Sequence, residues 1–482
     1  MMNNVIVWVI MLPLLASLAT LVWPRQGQWL TLLATLVTLI GSVLLLWQVY
    51  QTGPVSHYLG GWQPGLGIAL RADAMSALLL LMCMLVVSVA SVYATRYFSD
   101  PVKKARFWPL WLMLVVALNA LLLSGDLFNL YVTLELLGLC AVGLTALGNT
   151  RAALQAAIRY LTIGLLGSLA FLAGVAFVYA EHGTLDLLTL SRQSGVNAST
   201  RVALVLMTAG LLIKSALFPL HFWLPSAHAS APAPVSAALS ALVVKVAVYI
   251  ILRLWLDVFD TALTPLSSLL LGISGSVAVI WGSWQALQAE RLKLLAAYST
   301  VAQIGYLFIF LSVILALPTA AQRDITFAAL IVFALTHGLA KSALFLSAGV
   351  IQQHAGHDRI NELDGTAKVL PLTTFIIALA GVALIGLPPS GSFLAKWHLL
   401  SSSIVSGQWW WLAVIASGSL LAGAYVFRVL GHAFSPGEGS RKIIAQDAEQ
   451  IPALFLALIA TLLMGFGSAW VWGFVQANSF FQ

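Results

Sequence analysis

Of the 482 residues, 61% are hydrophobic and only 8% are charged, against about 25% charged residues in a soluble domain, which excludes a water-soluble fold. The formal net charge of +7 comes from Lys and Arg scattered singly between apolar runs, so it carries no nucleic-acid footprint. Cys83 and Cys140 lie inside apolar segments, leaving no disulfide framework, no CxxC and no thiolate set for zinc or iron–sulfur; no cofactor is implied.

Since a helix needs about 20 apolar residues to cross a bilayer, spans are expected near 5–23, 28–50, 74–97, 106–124, 127–147, 157–180, 201–224, 233–256, 265–288, 298–317, 326–350, 367–402, 408–430 and 452–476. The first is too long for a signal-peptide core and has no basic region before it, so it reads as a retained span. The longest connections, 51–73, 181–200, 351–366 and 431–451, are too short for a soluble nucleotide-binding or quinone-reducing domain. The expected fold is an all-α integral membrane protein of about fourteen transmembrane helices.

Cytoplasmic loops retain Lys and Arg. With the N-terminus outside, Arg25, Arg96, Lys103, Lys104, Arg106, Arg151, Arg159, Arg291, Lys293, Arg359, Lys368, Arg428, Arg441 and Lys442 fall inside, and Arg71, Arg192, Arg201, Arg253 and Arg323 outside. Fourteen against five supports that orientation and an even number of spans, with both termini on the outer face of the cell membrane.

Two spans are interrupted. Lys214-Ser-Ala-Leu-Phe-Pro-Leu-His-Phe-Trp-Leu-Pro225 carries two prolines and Gly386-Leu-Pro-Pro-Ser-Gly391 splits the twelfth span; proline removes a donor and clashes with the preceding turn. Broken helices at corresponding places in two halves mark inverted-repeat transporters. The chain therefore divides into three N-terminal helices (1–105), a first inverted five-helix repeat (106–257), a second (258–430), and a loop with the last helix (431–482), the seventh and twelfth helices being the broken ones.

Inside the spans remain Lys214, Lys245, Lys341, Lys396 and one acid, Glu135. At roughly 2.5–3.5 kcal/mol for a charge at a helix centre, five would cost about 12–18 kcal/mol, so something compensates or uses them. Any one lysine could snorkel from a helix end, but Lys214 follows a long uncharged run and Lys245 stands between Pro232 and Arg253, both mid-membrane. A buried carboxylate wants a cation, and Lys214 is the nearest candidate for Glu135, as structural glue or as a gate. His337 and Lys341 are four apart and share a helix face; the imidazole reads as a proton relay, with a structural histidine as the alternative, since no Cys, Asp or second His stands at metal-ligand spacing. Lys396 follows the second break by five residues. His221 and His228 flank the first break, to line an entrance or to hold the broken helix, and His398 beside Lys396 has the same two readings. Asp73 and Arg71 read as interfacial, and His354, His357 and Asp358 as a solvated loop cluster. No nucleotide, hydrolase or metalloprotease motif stands in a suitable loop. The five buried charges and His337 thus predict a proton route from Glu135 and Lys214 through Lys245, His337 and Lys341 to Lys396.

These residues resemble a known family: the antiporter-like, proton-translocating subunits of respiratory complex I, membrane-bound hydrogenases and Mrp-type multisubunit cation/proton antiporters. The resemblance spans nearly the whole chain and is carried by Gly125-Asp-Leu-Phe-Asn-Leu-Tyr-Val-Thr-Leu-Glu135, Lys214 with Phe218-Pro-Leu-His-Phe-Trp-Leu-Pro225, Ala227-His-Ala-Ser-Ala-Pro-Ala-Pro-Val-Ser236 with Val243-Val-Lys245, and His337-Gly-Leu-Ala-Lys341. It implies that Glu135 and Lys214 form the ion pair, that Lys245, His337 or Lys341 continue the path, and that Lys396 ends it. The run before Glu135 and the chain length look most like the D-type member of Mrp antiporters. The implied activity is Na+ or K+ exchange for H+ in a complex with other membrane subunits, with no cofactor in this chain. The alternatives are the pumping arm of a redox-driven complex and the membrane subunit of an inorganic-carbon uptake complex.

Overall fold

The computed structural model describes residues 4–62, 67–193, 197–437, 447–478 and 481; Arg441 and Lys442, counted above toward orientation, lie outside them. Among the described residues twelve unbroken helices are long and apolar enough to cross a membrane. They are the first to sixth spans (Val5–Val22, Pro24–Thr52, Ala74–Tyr97, Pro101–Leu122, Leu127–Ala146 and Arg151–His182), the eighth to eleventh (Ala233–Val258, Pro265–Gln288, Leu292–Ala316 and Ala320–Ala355), the thirteenth (Trp411–Phe434) and the fourteenth (Ala448–Phe466, continued by Ser468–Ala477). The other two spans are the broken ones: the seventh is Ala198–Lys214 followed by Leu224–Ser230, and the twelfth is Pro371–Ile385 followed by Gly391–Val405.

Fourteen crossings put alternate loops on one side, and the bonds between loops respect this. On one face a hairpin of β1 (Val55–Tyr58) and β2 (Ala69–Ala72), with Val55 opposite Ala72, bridges through Leu70 to Ser124, and Asp126 bridges to Asp186. On the other face Leu292 N bonds Asp358 O at 2.7 Å, Ile360 N bonds Glu290 O at 2.8 Å and Gly365 N bonds Ser435 O at 2.9 Å. Because five is an odd number of crossings, the second five-helix repeat enters from the face opposite to the first.

The eighth and eleventh spans are wholly enclosed by protein and the tenth nearly so, whereas the first, sixth and thirteenth turn most of their surface outward. Apolar residues all round a helix fit either environment; only packing decides. Small residues set the closest contacts, as expected where lipid supplies no hydrophobic drive. A methyl on Gly275 of the ninth span would stand 2.6 Å from the Gly305 carbonyl oxygen of the tenth, and one on Gly282 2.7 Å from the Ala302 amide nitrogen. Neither neighbour is a side chain that could turn away. Gly275→Leu is therefore expected to pry these helices apart at a cost of about 3 kcal/mol, read as a lower melting temperature of the purified protein.

Each break is tied by a side chain from its second half. Helix ends leave carbonyls without intrahelical partners, and in hydrocarbon these must be satisfied within the protein. In the seventh span the Trp223 indole donates to Ile213 O at 2.9 Å. In the twelfth, Gly386 ends the first half at φ +84°, Ser390 accepts from Phe393 N at 3.3 Å to start the second, and Lys396 Nζ donates to Ile385 O at 3.0 Å.

Candidate functional site

Glu135 and Lys214 meet at 2.9 Å, their side chains 20% and 9% exposed, with the fifth span supplying the acid and the last turn of the first half of the seventh the amine. Ser168 of the sixth span also donates to the Glu135 carboxylate. A cavity of about 30 Å3 adjoins the pair and reaches Val243 of the eighth span, past Gly138, Tyr160 and Trp223. Since about 10–15 Å3 of such volume holds one water, the space suits a short water chain.

The eighth span widens into a π stretch at Leu239–Val243, which frees carbonyls from the ordinary helical ladder. Lys245 Nζ donates back to two of them, Ser240 O at 3.1 Å and Ala241 O at 2.9 Å. From there a hydrogen-bonded row crosses the molecule. The Ser240 and Thr300 hydroxyls are 2.7 Å apart, Thr300 Oγ1 donates to Ala296 O at 2.9 Å, and Lys341 Nζ donates to the same Ala296 O at 2.8 Å and to the Ser299 hydroxyl. Because Thr300 spends its proton on Ala296, Ser240 is the donor to Thr300.

Beyond Lys341 the buried Tyr425 hydroxyl faces Ser299 and Gln303, and Gln303 Nε2 donates to Leu384 O at 3.0 Å, one residue before the carbonyl that Lys396 holds. Lys396 Nζ also donates to Ser419 Oγ at 3.0 Å and lies 4.4 Å from the centre of the Tyr306 ring, a cation–π arrangement. Among the described residues no carboxylate lies within ion-pair distance of Lys245, Lys341 or Lys396. Lys214 alone of the four has an acid partner there.

His337 is 1% exposed, neither ring nitrogen has a hydrogen-bond partner among the described residues, and the amines whose charges reach it are Lys245, Lys341 and Lys396. His228, also 1% exposed, stacks on Phe345 at 5.4 Å and feels the charges of Lys341, Lys293 and Lys245. His221 stacks on Phe218 beside the first break. His398 sits apart from the row, its ring 4.3 Å from that of Trp472 in the last span.

Three charged groups read from the sequence as loop or interfacial residues are buried. Lys293, 2% exposed, reaches across to Ala231 O at the end of the seventh span. It stands at the wall of a cavity of about 310 Å3 shared with Asp100, Lys103, Thr150 and Gln352. The 29 uncharged residues that follow Lys293 were the available signal, and its position at a span's first turn concealed it. Asp73 and Arg253, 4% and 3% exposed, form an ion pair with each other. Without Lys293 and Arg253 the loop bias becomes thirteen against four, and keeps its sign. The loop cluster is likewise organised: Asp358 is 2% exposed, binding Arg291 Nε at 2.8 Å and Lys293 N at 3.2 Å, and His354 pairs with Glu449 at 2.9 Å.

With this arrangement in view, the sequence matches the family described as NADH:quinone oxidoreductase/Mrp antiporter, TM, over residues 124–422, a stretch that holds Glu135, Lys214, Lys245, His337, Lys341 and Lys396. The chain is 34% identical over 480 residues to the N chain of the NADH-quinone oxidoreductase of Desulforudis audaxviator, covering 95% of this chain and 93% of that one. It is 29% identical over 492 residues to the D chain of the Na(+)/H(+) antiporter of Bacillus subtilis, covering 98% and 96%. In fold it is similar to a chain in the structure of the Mrp complex from Dietzia sp., with a TM-score of 0.90 at 24% identity over 99% of this chain and 97% of that one.

Proposed function

Because the chain belongs to the NADH:quinone oxidoreductase/Mrp antiporter transmembrane family, we propose that it is the proton-translocating subunit of a multisubunit Na+ or K+/H+ antiporter of Mrp type. The observation that carries the reading is the row itself: one acid–amine pair, then three amines whose hydrogen-bond acceptors among the described residues are carbonyls and hydroxyls, running between the two helix breaks. Likeness to the D chain of a Na(+)/H(+) antiporter over nearly the whole length supports the choice of driving force.

An amine with neutral acceptors exists in either protonation state without leaving a carboxylate stranded. Glu135 stabilises the charged form of Lys214; when the pair opens, that proton loses its counterion and moves through the adjoining cavity toward Lys245. Like charges in a low-dielectric interior repel strongly, so a proton arriving on Lys245 favours departure from Lys341, whose His337 neighbour relays it toward Lys396. Helix breaks at the seventh and twelfth spans give water access to the two ends of the row, with His221 and His228 beside the first and His398 nearer the second. On this reading both termini lie on the outer face of the inner membrane, the repeats divide at 106, 258 and 431, and sister membrane subunits supply whatever cation path this chain lacks.

A second reading, the pumping arm of a redox-driven complex, is supported by the 34% identity to a chain of a quinone oxidoreductase. Vesicles holding the purified assembly, loaded with a pH-sensitive dye and given an imposed pH gradient, separate the two. Added Na+ or K+ is expected to collapse the gradient in the absence of any electron donor. A gradient indifferent to both cations, and built up instead when an electron donor is supplied, would overturn the antiporter assignment.

A further inference from the structure

Lys245, Tyr249, Arg253 and Asp257 are spaced by four along the eighth span, so they form one ridge on one face of the helix, running from the membrane centre to the face that bears the hairpin. A small cavity joins Lys245 to Tyr249, and side-chain contacts continue from Tyr249 outward. A cavity of about 10 Å3, walled by Lys245, Tyr249, Cys83, Leu122 and Leu242, has the volume of about one water. The Tyr249 hydroxyl donates to Leu122 O at 2.8 Å and accepts from Arg253 Nε at 3.1 Å. Arg253 is shared between two acids, Asp73 at the start of the third span and Asp257 at 3.4 Å, and Asp257 in turn lies 3.9 Å from Arg71. Side-chain exposure rises from 4% at Arg253 to 21% at Asp257 and 24% at Arg71, so the ridge ends at the surface.

We propose that this ridge is the exit by which protons leave Lys245 for the hairpin face, driven out by the like charge of a protonated Lys341, with Arg253 as its switch. The proposal rests on Lys245 belonging to the proton row. The Lys245 ammonium gives a proton to the cavity water and becomes an amine. That water passes a proton to the Tyr249 oxygen as the phenol turns its own proton away from Leu122 O and gives it up toward Asp73. Arg253 keeps all its N–H protons, since a guanidinium does not deprotonate in proteins. Its movement from Asp73 toward Asp257 leaves the Asp73 carboxylate without its cation, and that carboxylate takes the proton and then releases it to the aqueous face. A buried ion pair that served only to fasten the third span to the eighth would need neither the tyrosine nor the water-sized cavity beneath it.

Tyr249→Phe keeps the ring, its packing and the Arg253–Asp73 pair, and removes only the hydroxyl. Cation-driven proton movement in vesicles of the assembly is expected to fall by about tenfold, less than for a lost general acid because a water can replace the phenol in part. In Asp257→Cys, an impermeant thiol reagent supplied to the hairpin face is expected to cut the remaining flux by about a further tenfold relative to the same unlabelled variant, while reagent supplied only to the opposite face leaves it unchanged. Co-purification of the partner subunits reports folding in each case. Wild-type flux in assembled Tyr249→Phe, or full flux after complete labelling of Asp257→Cys, overturns the exit. Lys245→Ala separates this from the broader reading: an inactive Lys245→Ala beside a fully active Tyr249→Phe removes the exit alone, whereas an active Lys245→Ala removes Lys245 from the row and the exit with it.

Discussion

Lys341→Met abolishes cation-driven proton movement, by about a hundredfold or more, while the assembled protein melts at the same temperature or higher. The two expectations have opposite signs because the amine serves transport at the expense of stability. Lys341 is fully buried, 0% exposed, and is held by Ala296 O and the Ser299 hydroxyl. Methionine matches its length and has no charge to desolvate, and replacing buried ionic groups by apolar ones of similar volume is often neutral or stabilising. Nor is a partner orphaned, since Ala296 O still accepts from Thr300 Oγ1 at 2.9 Å and from Ser299 Oγ at 3.1 Å. Flux is read in dye-loaded vesicles and stability by thermal melting of the purified assembly. A variant that keeps wild-type flux would show that protons bypass the middle of the row.

What is legible in the sequence follows from which forces are local. Span lengths and the two breaks depend on runs of apolar residues and on proline, and the helices fall where hydropathy puts them. Intramembrane charge is equally plain in one dimension, and the Glu135–Lys214 contact at 2.9 Å realises the pairing that desolvation demands. Asp73, Arg253 and Lys293 mislead for a specific reason. Each stands at the end of a hydropathic run, where a lone helix would meet headgroups, but the eighth and tenth spans are enclosed by other helices and their ends are roofed by loops and neighbouring spans. The carbonyls that hold Lys245 are beyond reach because a π stretch is a backbone event with no residue signature of its own. Ser299, Thr300 and Tyr425 are ordinary residues in apolar helices until the tenth span packs against the eleventh and the thirteenth against the tenth.

Removing the acid of the pair tests whether it gates protons or merely fastens helices. Glu135→Ala leaves Lys214 with a 9% exposed side chain and no counterion, and breaking a buried pair in this way costs about 3 kcal/mol, seen as a lower melting temperature together with loss of flux. That outcome alone does not separate the two roles, since an unstable protein also transports poorly. The double variant Glu135→Gln with Lys214→Met does. Glutamine keeps the shape of the acid and an oxygen that accepts from Ser168, and methionine removes the stranded cation, so stability is expected to recover to within about 1 kcal/mol of wild type, the non-additivity of a coupled pair. Flux is expected to stay at least about a hundredfold down, because neither replacement holds or hands on a proton. If the restabilised double variant exchanged ions at the wild-type rate, the pair would be a structural fastener, and the proton row would have to begin at Lys245.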